Sequence, residues 1–279
     1  MSLTWFITGI SSGFGRQMAT QLLECGDFVA GTIRRPDAAD DLKARYGDRL
    51  WTDILDVADG PAIYEVVDRA FADLGRIDVV VNNAGFGLFG PLEGLTDAQI
   101  KNQIDVNLVG PIHITRAAVP HLRAQGGGRI LALSTYGGQA AHAGASLYHA
   151  SKWGLEGFME AMAEELAPFG IGVTIVEPGG ARTGFRNAAS ANLGAKLEAY
   201  QGTPAGMAHT VLRDASRLPN GDPVKMVRAM IDSVGHSPAP RRLVLGSDAY
   251  LAISSSLARR VAEVESQKQT ASSTDVSVA

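Results

Sequence analysis

The chain has little sulfur to cross-link it: one cysteine, Cys25, in 279 residues. A lone thiol excludes an internal disulfide and suits a reducing compartment. In "LLECG", on an expected helix, it reads as a small buried hydrophobe. No stretch of roughly 18 apolar residues exists, which excludes a spanning helix and leaves no membrane partner. The opening "MSLTWFITG" lacks a basic segment followed by an apolar one, so no secretory leader is expected and a cytoplasmic location follows by elimination. No basic block stands out among 25 Lys and Arg against 29 Asp and Glu, a net charge of −4, which argues against a nucleic-acid partner. His113, His121, His142, His149, His209 and His236 show no ligand spacing, so no metal site is expected. What remains, 46% hydrophobic and 19% charged residues, is the composition of a globule with a large core.

Strand-like and helix-like segments alternate along that core-forming chain. Apolar runs at 3–9, 27–34, 50–57, 77–85, 128–134, 171–179 and 241–247 read as seven strands. Helical spacing marks 15–25, 60–75, 148–167 and 219–235, with a long helix over 97–126 interrupted near Gly110-Pro111. Strands apolar throughout require a parallel sheet covered on both faces. Alternation with helices gives right-handed βαβ units. The expected fold is therefore α/β: a Rossmann-type doubly wound sheet of about seven parallel strands with helices on both faces. One domain over 1–264 is expected. Residues 183–220, rich in Ala, Gly, Asn and Thr, read as a plain surface insertion or, on the logic of ligand crevices at strand ends, a substrate lid. The polar end 265–279 reads as a flexible tail.

Two patterns carry chemistry. "TGISSGFG" (8–15) follows the first strand and opens the first helix. Gly9 permits the turn, Gly13 lets backbone approach a pyrophosphate, and Gly15 allows close helix–sheet packing; Ser11, Ser12 and Phe14 complete the loop. At the end of the second strand, where an acid would bind the ribose of NAD(H), the chain has Arg34 and Arg35. Guanidinium matches phosphate in charge and fork geometry, so NADP(H) is favoured, with Arg34 nearest the 2′-phosphate and NAD(H) possible. The second pattern is "YHASK" (148–152). On a helix Tyr148 and Lys152 share a face, and a fixed cation beside a phenol should lower its pKa toward that of a usable acid/base.

With these motifs stand "NNAG" (82–85), Asn107 in "DVNLVG", "LSTYGG" (133–138) and "PGGART" (178–183). In order and spacing, from residue 4 to about 183, the set resembles the short-chain dehydrogenase/reductase superfamily in its single-domain form. Residues 151–180 further resemble its 17β-hydroxysteroid-dehydrogenase-like and retinol-dehydrogenase-like branch. The resemblance implies an NADP(H)-dependent oxidoreductase interconverting a ketone or aldehyde and an alcohol by hydride transfer. Tyr148 would be the acid/base, Lys152 its partner and ribose holder, and Asn107 the anchor of a proton-relay water. Asp56 with Val57 would meet the adenine. Asn83, Ala84 and Gly85 would lie along the adenosine, and Pro178, Gly179 and Thr183 beside the nicotinamide. The hydroxyl that polarises the carbonyl is usually a serine thirteen residues before the tyrosine. Here that position is Thr135, and Ser134 precedes it. Neighbours on a strand face opposite ways, so one of the two is expected to serve, Thr135 on spacing. The resemblance also implies a homodimer or homotetramer built through 97–126 and 148–167.

Overall fold

The computed structural model describes residues 2–214, 216 and 218–276. In chain order the elements are β1 (Thr4–Ile7), α1 (Gly13–Cys25), β2 (Phe28–Ile33), α2 (Asp40–Tyr46), β3 (Leu50–Ile54), α3 (Gly60–Leu74) and β4 (Val79–Asn82). After them come α4 (Asp97–Ile104), a π-helical turn (Asp105–Val109), α5 (Gly110–Ala124), β5 (Gly128–Leu133), α6 (Ser146–Leu166) and β6 (Ile171–Pro178). The last part holds α7 (Phe185–Ala191), α8 (Ala208–Val211), α9 (Pro223–Ser233), β7 (Arg242–Leu245), α10 (Ser247–Glu265) and α11 (Lys268–Ser273).

The strands form one seven-stranded parallel sheet in the order β3-β2-β1-β4-β5-β6-β7, the expected Rossmann-type α/β fold. Alternate side chains of each strand feed two cores. Phe6, Val80, Ile130 and Ala132 pack under α3, α5 and α6, while Trp5, Ile7, Val79, Val81 and Leu131 pack under α1 and α9. Burial on both faces explains why these strands read as unbroken apolar runs. The chain reverses its direction of winding between β1 and β4, so the crevice at the carboxyl ends of these strands lies at the switch point. The helices begin and stop on local signals. Asp59 caps α3 by accepting from Ala62 N at 3.2 Å, and Gly26, at φ +92°, closes α1.

Three local expectations change. Cys25 is exposed: the buried part of α1 ends at Leu23, and the cysteine is the helix's last residue. The break in the 97–126 helix lies before Gly110, as the π turn at 105–109, because an extra residue is accommodated there and Gly110 then approaches the backbone of Val57. Residues 268–273, within the expected flexible tail, form a short, fully exposed helix.

Candidate active site

The carboxyl ends of β1, β4, β5 and β6 bring most of the sequence motifs together. At β1, Gly9 and Gly13 adopt φ of +75° and +58°, which L side chains rarely take. Asn83 holds this turn from below, donating from Nδ2 to Thr8 O at 2.8 Å and Gly9 O at 3.0 Å. Thr8 Oγ1 accepts from the backbone of both Asn83 and Ala84 at 3.0 Å. A methyl group at Gly15 would stand 2.3 Å from Gly9 O, so only glycine fits there, whereas above Gly13 a Cβ would meet nothing within 4 Å. Ser11 and Ser12 are exposed at the amino end of α1. An open backbone approach at the start of a 13-residue helix fits a dinucleotide's pyrophosphate. Arg34 and Arg35 are exposed just past β2; Asp56 is exposed and accepts from Ala58 N, and Val57 is buried.

The reacting end gathers around α6. Tyr148 and Lys152 lie on its inward face. Lys152 is buried, and its Nζ donates to Leu133 O, at the end of β5, at 2.6 Å. Burial pushes its pKa down to about 8, against the opposing pull of the Glu156 carboxylate. Gly85 is close by: a Cβ there would sit 3.7 Å from that Nζ and 3.2 Å from Asn107 Oδ1. The π turn presents Asn107 inward. Its Nδ2 donates to Phe86 O at 2.8 Å and its Oδ1 accepts from Phe86 N at 3.0 Å, which fixes the loop after β4.

The phenol departs from the expected direction. Burial raises the pKa of Tyr148; the Thr135 hydroxyl pulls it down and Tyr136 raises it further. The expected lowering by Lys152 is not among the causes that act on the phenol; its Nζ lies on Leu133 O, and burial dominates. Phe89 and Phe185 stand 5.4 Å and 5.8 Å from the ring, centroid to centroid, and the ring packs against the buried cluster of Phe89, Ala145 and Ala189.

The two candidate hydroxyls part company. Thr135 Oγ1 lies by Tyr148, donating to Pro178 O at 3.3 Å. Ser134 Oγ turns the other way and donates to buried Glu156 at 2.5 Å. Thr183 Oγ1 accepts from Phe185 N, and Gly179 N donates to Leu245 O at 2.8 Å. The sequence reading missed several polar partners. Asp248 of α10 accepts from Gly180 N at 2.8 Å and leaves no room for a side chain at Gly179. Gln103 accepts from Leu88 N at 2.8 Å. His149 is buried, with Nδ1 on Gly137 O at 2.8 Å, and burial lowers its pKa to about 4, helped by His142 and opposed by Gly137 O. The one available signal was "GG" at 137–138: methyl groups there would strike His149 and Glu156. Among the described residues, no group of three or more His, Cys, Asp or Glu is placed to hold a metal, and no helix is long and apolar enough to cross a membrane.

Comparison with known proteins agrees with this layout. The family model described as short chain dehydrogenase matches residues 4–194. Oxidoreductase BOA17 of Botryotinia fuckeliana is 35% identical over 250 residues, 89% of this chain and 90% of that protein. Mouse retinol dehydrogenase 5 is 38% identical over 185 residues, covering 65% of this chain and 58% of that protein. Among solved structures, a short-chain dehydrogenase from Streptomyces avermitilis superposes with a TM-score of 0.91, at 38% identity and 98% coverage of both chains. A metagenomic short-chain oxidoreductase in complex with NADP gives a TM-score of 0.61 at 35% identity, over 64% of this chain and 83% of that one. The chain belongs to the short-chain dehydrogenase/reductase family. It is an NAD(P)-dependent oxidoreductase acting on CH–OH groups.

Proposed function

We propose that this enzyme uses NADP(H) in preference to NAD(H) and reduces the carbonyl of a small apolar ketone or aldehyde, with Tyr148 as proton donor. The observation that carries the reading is the convergence of Tyr148, Thr135 and Lys152 where β5 and β6 end, across from the glycine turn. A nicotinamide bound there supplies or receives the hydride. Gly9, Gly13 and Ser12 would hold the pyrophosphate, Arg34 and Arg35 the 2′-phosphate, and Pro178, Gly179 and Thr183 the ring's surroundings. The metagenomic relative solved with NADP supports this choice.

The protein's own groups then act in sequence. Thr135 Oγ1 and the Tyr148 hydroxyl donate to the carbonyl oxygen and stabilise the charge that develops on it. A raised phenol pKa keeps Tyr148 protonated at neutral pH, as a donor must be. Lys152, with a pKa close to the working pH, returns a proton to the phenolate, and Asn107 fixes the water that resupplies it. Residues 183–220 act as a lid: Phe185, with Phe89, screens the phenol from water and offers an apolar wall to the substrate. Assembly as a homodimer or homotetramer through α4, α5 and α6 belongs to the same reading, and light scattering on the purified chain tests it.

Tyr148→Phe tests the core of it. Turnover on a carbonyl panel should fall at least about a thousandfold while NADPH affinity stays within a few-fold. A Tyr148→Phe enzyme that still turns over, or that loses cofactor and activity together, overturns the assignment.

A further inference from the structure

Beneath the reacting end lies a buried cluster of charge that the reaction as described leaves unused. Glu156 sits one helical turn beyond Lys152 on the inward face of α6, and its side chain is 4% exposed. One of its oxygens accepts from Ser134 Oγ and the other from Arg242 Nη1, both at 2.5 Å. Arg242, on β7, also meets Glu177 of β6, which is fully buried, and Glu160 of α6 at 2.6 Å. Glu177 in turn accepts from Gln139 Nε2 at 2.5 Å. The groups facing Glu156 are therefore Lys152 and Glu160 on its own helix, Ser134 at the end of β5, Glu177 on β6 and Arg242 on β7. The backbone yields to this carboxylate: a methyl group at Gly138 would lie 1.8 Å from Glu156 Oε1 and 2.6 Å from Ser134 Oγ.

We infer that Glu156 is a positioning residue for the proton transfer, acting as the buried counter-charge of the Lys152 ammonium and pinning the 133–135 turn on which both Lys152 and Thr135 depend. Two features carry the inference. Lys152 is buried with a carbonyl, Leu133 O, as its hydrogen-bond acceptor, and a buried ammonium needs a negative charge in reach. Ser134, which ties Glu156 to the strand end, stands between the residue that receives the amine and the residue that polarises the carbonyl. Burial raises the Glu156 pKa to about 7, with Ser134 and Arg242 pulling it back, so the carboxylate carries its charge on the alkaline side where the rate limb is read. The sign follows. A negative charge favours every protonated state of the Tyr148–Lys152 pair, so its loss moves the deprotonation of the pair to lower pH. Reduction needs the pair fully protonated, so the alkaline limb of the rate must move the same way.

The inference rests on the reading of Tyr148 and Lys152 given above, and a direct titration separates the two. Lysine Cε signals of the full chain, with Lys152 assigned by Lys152→Arg among the six lysines, are followed against pH by NMR in wild type and Glu156→Gln. Glutamine keeps the shape and can still accept from Ser134. The expected result is a Lys152 midpoint lower by about one pH unit, an alkaline limb of kcat for reduction displaced equally, and NADPH affinity at pH 6 unchanged. Glu156→Asp should restore most of the shift. A folded Glu156→Gln protein with an unmoved midpoint overturns the counter-charge, and a moved midpoint with an unmoved rate limb overturns the positioning role. If Glu156→Gln does not fold, Ser134→Ala makes the carboxylate easier to protonate and should lower the midpoint by a smaller amount; no change there counts against the inference. Absence of turnover in wild type would sink the functional reading while the titration still decides this one.

Discussion

Replacing Arg34 with alanine isolates the interaction proposed to select the cofactor. Arg34 is the first residue past β2 and is exposed. The strand end is rooted against the glycine turn: Gly9 N donates to Thr32 Oγ1 at 3.1 Å and Ile10 N to Thr32 O at 3.0 Å. Among the described residues Arg34 makes no ion pair, whereas Arg35 faces Asp37 at 4.0 Å. The Arg34 guanidinium is therefore the freer of the two to turn to a phosphate. A hydrogen bond to a charged group contributes about 1.5–3 kcal/mol. Exposure argues for the low end, because water and salt screen the charge. Taking about 1.5–2 kcal/mol, Arg34→Ala should lower the NADPH-to-NADH ratio of kcat/KM by roughly 10- to 30-fold. NADH kinetics should barely change, since NADH carries no 2′-phosphate to lose. Initial rates with each cofactor, at low and high salt, measure this, and the effect should shrink as salt rises. A ratio held within about twofold of wild type would refute the assignment of the 2′-phosphate to this side chain.

Two further outcomes follow from the site. Thr135→Val should lower kcat about 100-fold or more and Thr135→Ser should restore most of it, while Ser134→Ala should cost far less in kcat, because its hydroxyl is turned to Glu156; equal kinetic losses in the two would reverse the roles. His149 stays neutral down to about pH 4 in the folded protein, below the ordinary 6.5. Between these values the unfolded chain binds a proton that the folded one does not, so the stability that His149 contributes above 6.5 is lost as pH falls toward 4. This amounts to about 2–3 kcal/mol. Chemical denaturation at pH 5 and 7.5 should show a smaller acid loss in His149→Asn than in wild type, and an identical loss would exclude His149 as its source.

The sheet was legible because each strand is apolar on both faces and ends where the chain turns. All seven expected runs contain an observed strand, and the glycine turn and "YHASK" announced themselves by spacing. What escaped was set by distance along the chain. Ser134, Glu156, Glu177 and Arg242 meet only after β5, α6, β6 and β7 assemble, and no local pattern joins them. The helix α10 was missed for a different reason. It buries only Ala249, Ile253 and Ser256 and leaves Tyr250, Leu251, Leu257, Val261 and Val264 exposed, so its pattern does not read as a helix packed by one face. The raised phenol of Tyr148 was equally out of reach, since its burial involves Phe89 from the loop after β4 and Phe185 from the start of α7.

The paired glycines at 137–138 work as a two-slot keyway for the reacting helix. His149 occupies one slot and Glu156 the other, two turns apart on the same rod. Sliding that rod by one residue, about 1.5 Å, or turning it to the next side chain, would drive both wards into backbone. Tyr148 is thus indexed by shape as well as by polar contact, and a change in either segment demands a matching change in the other.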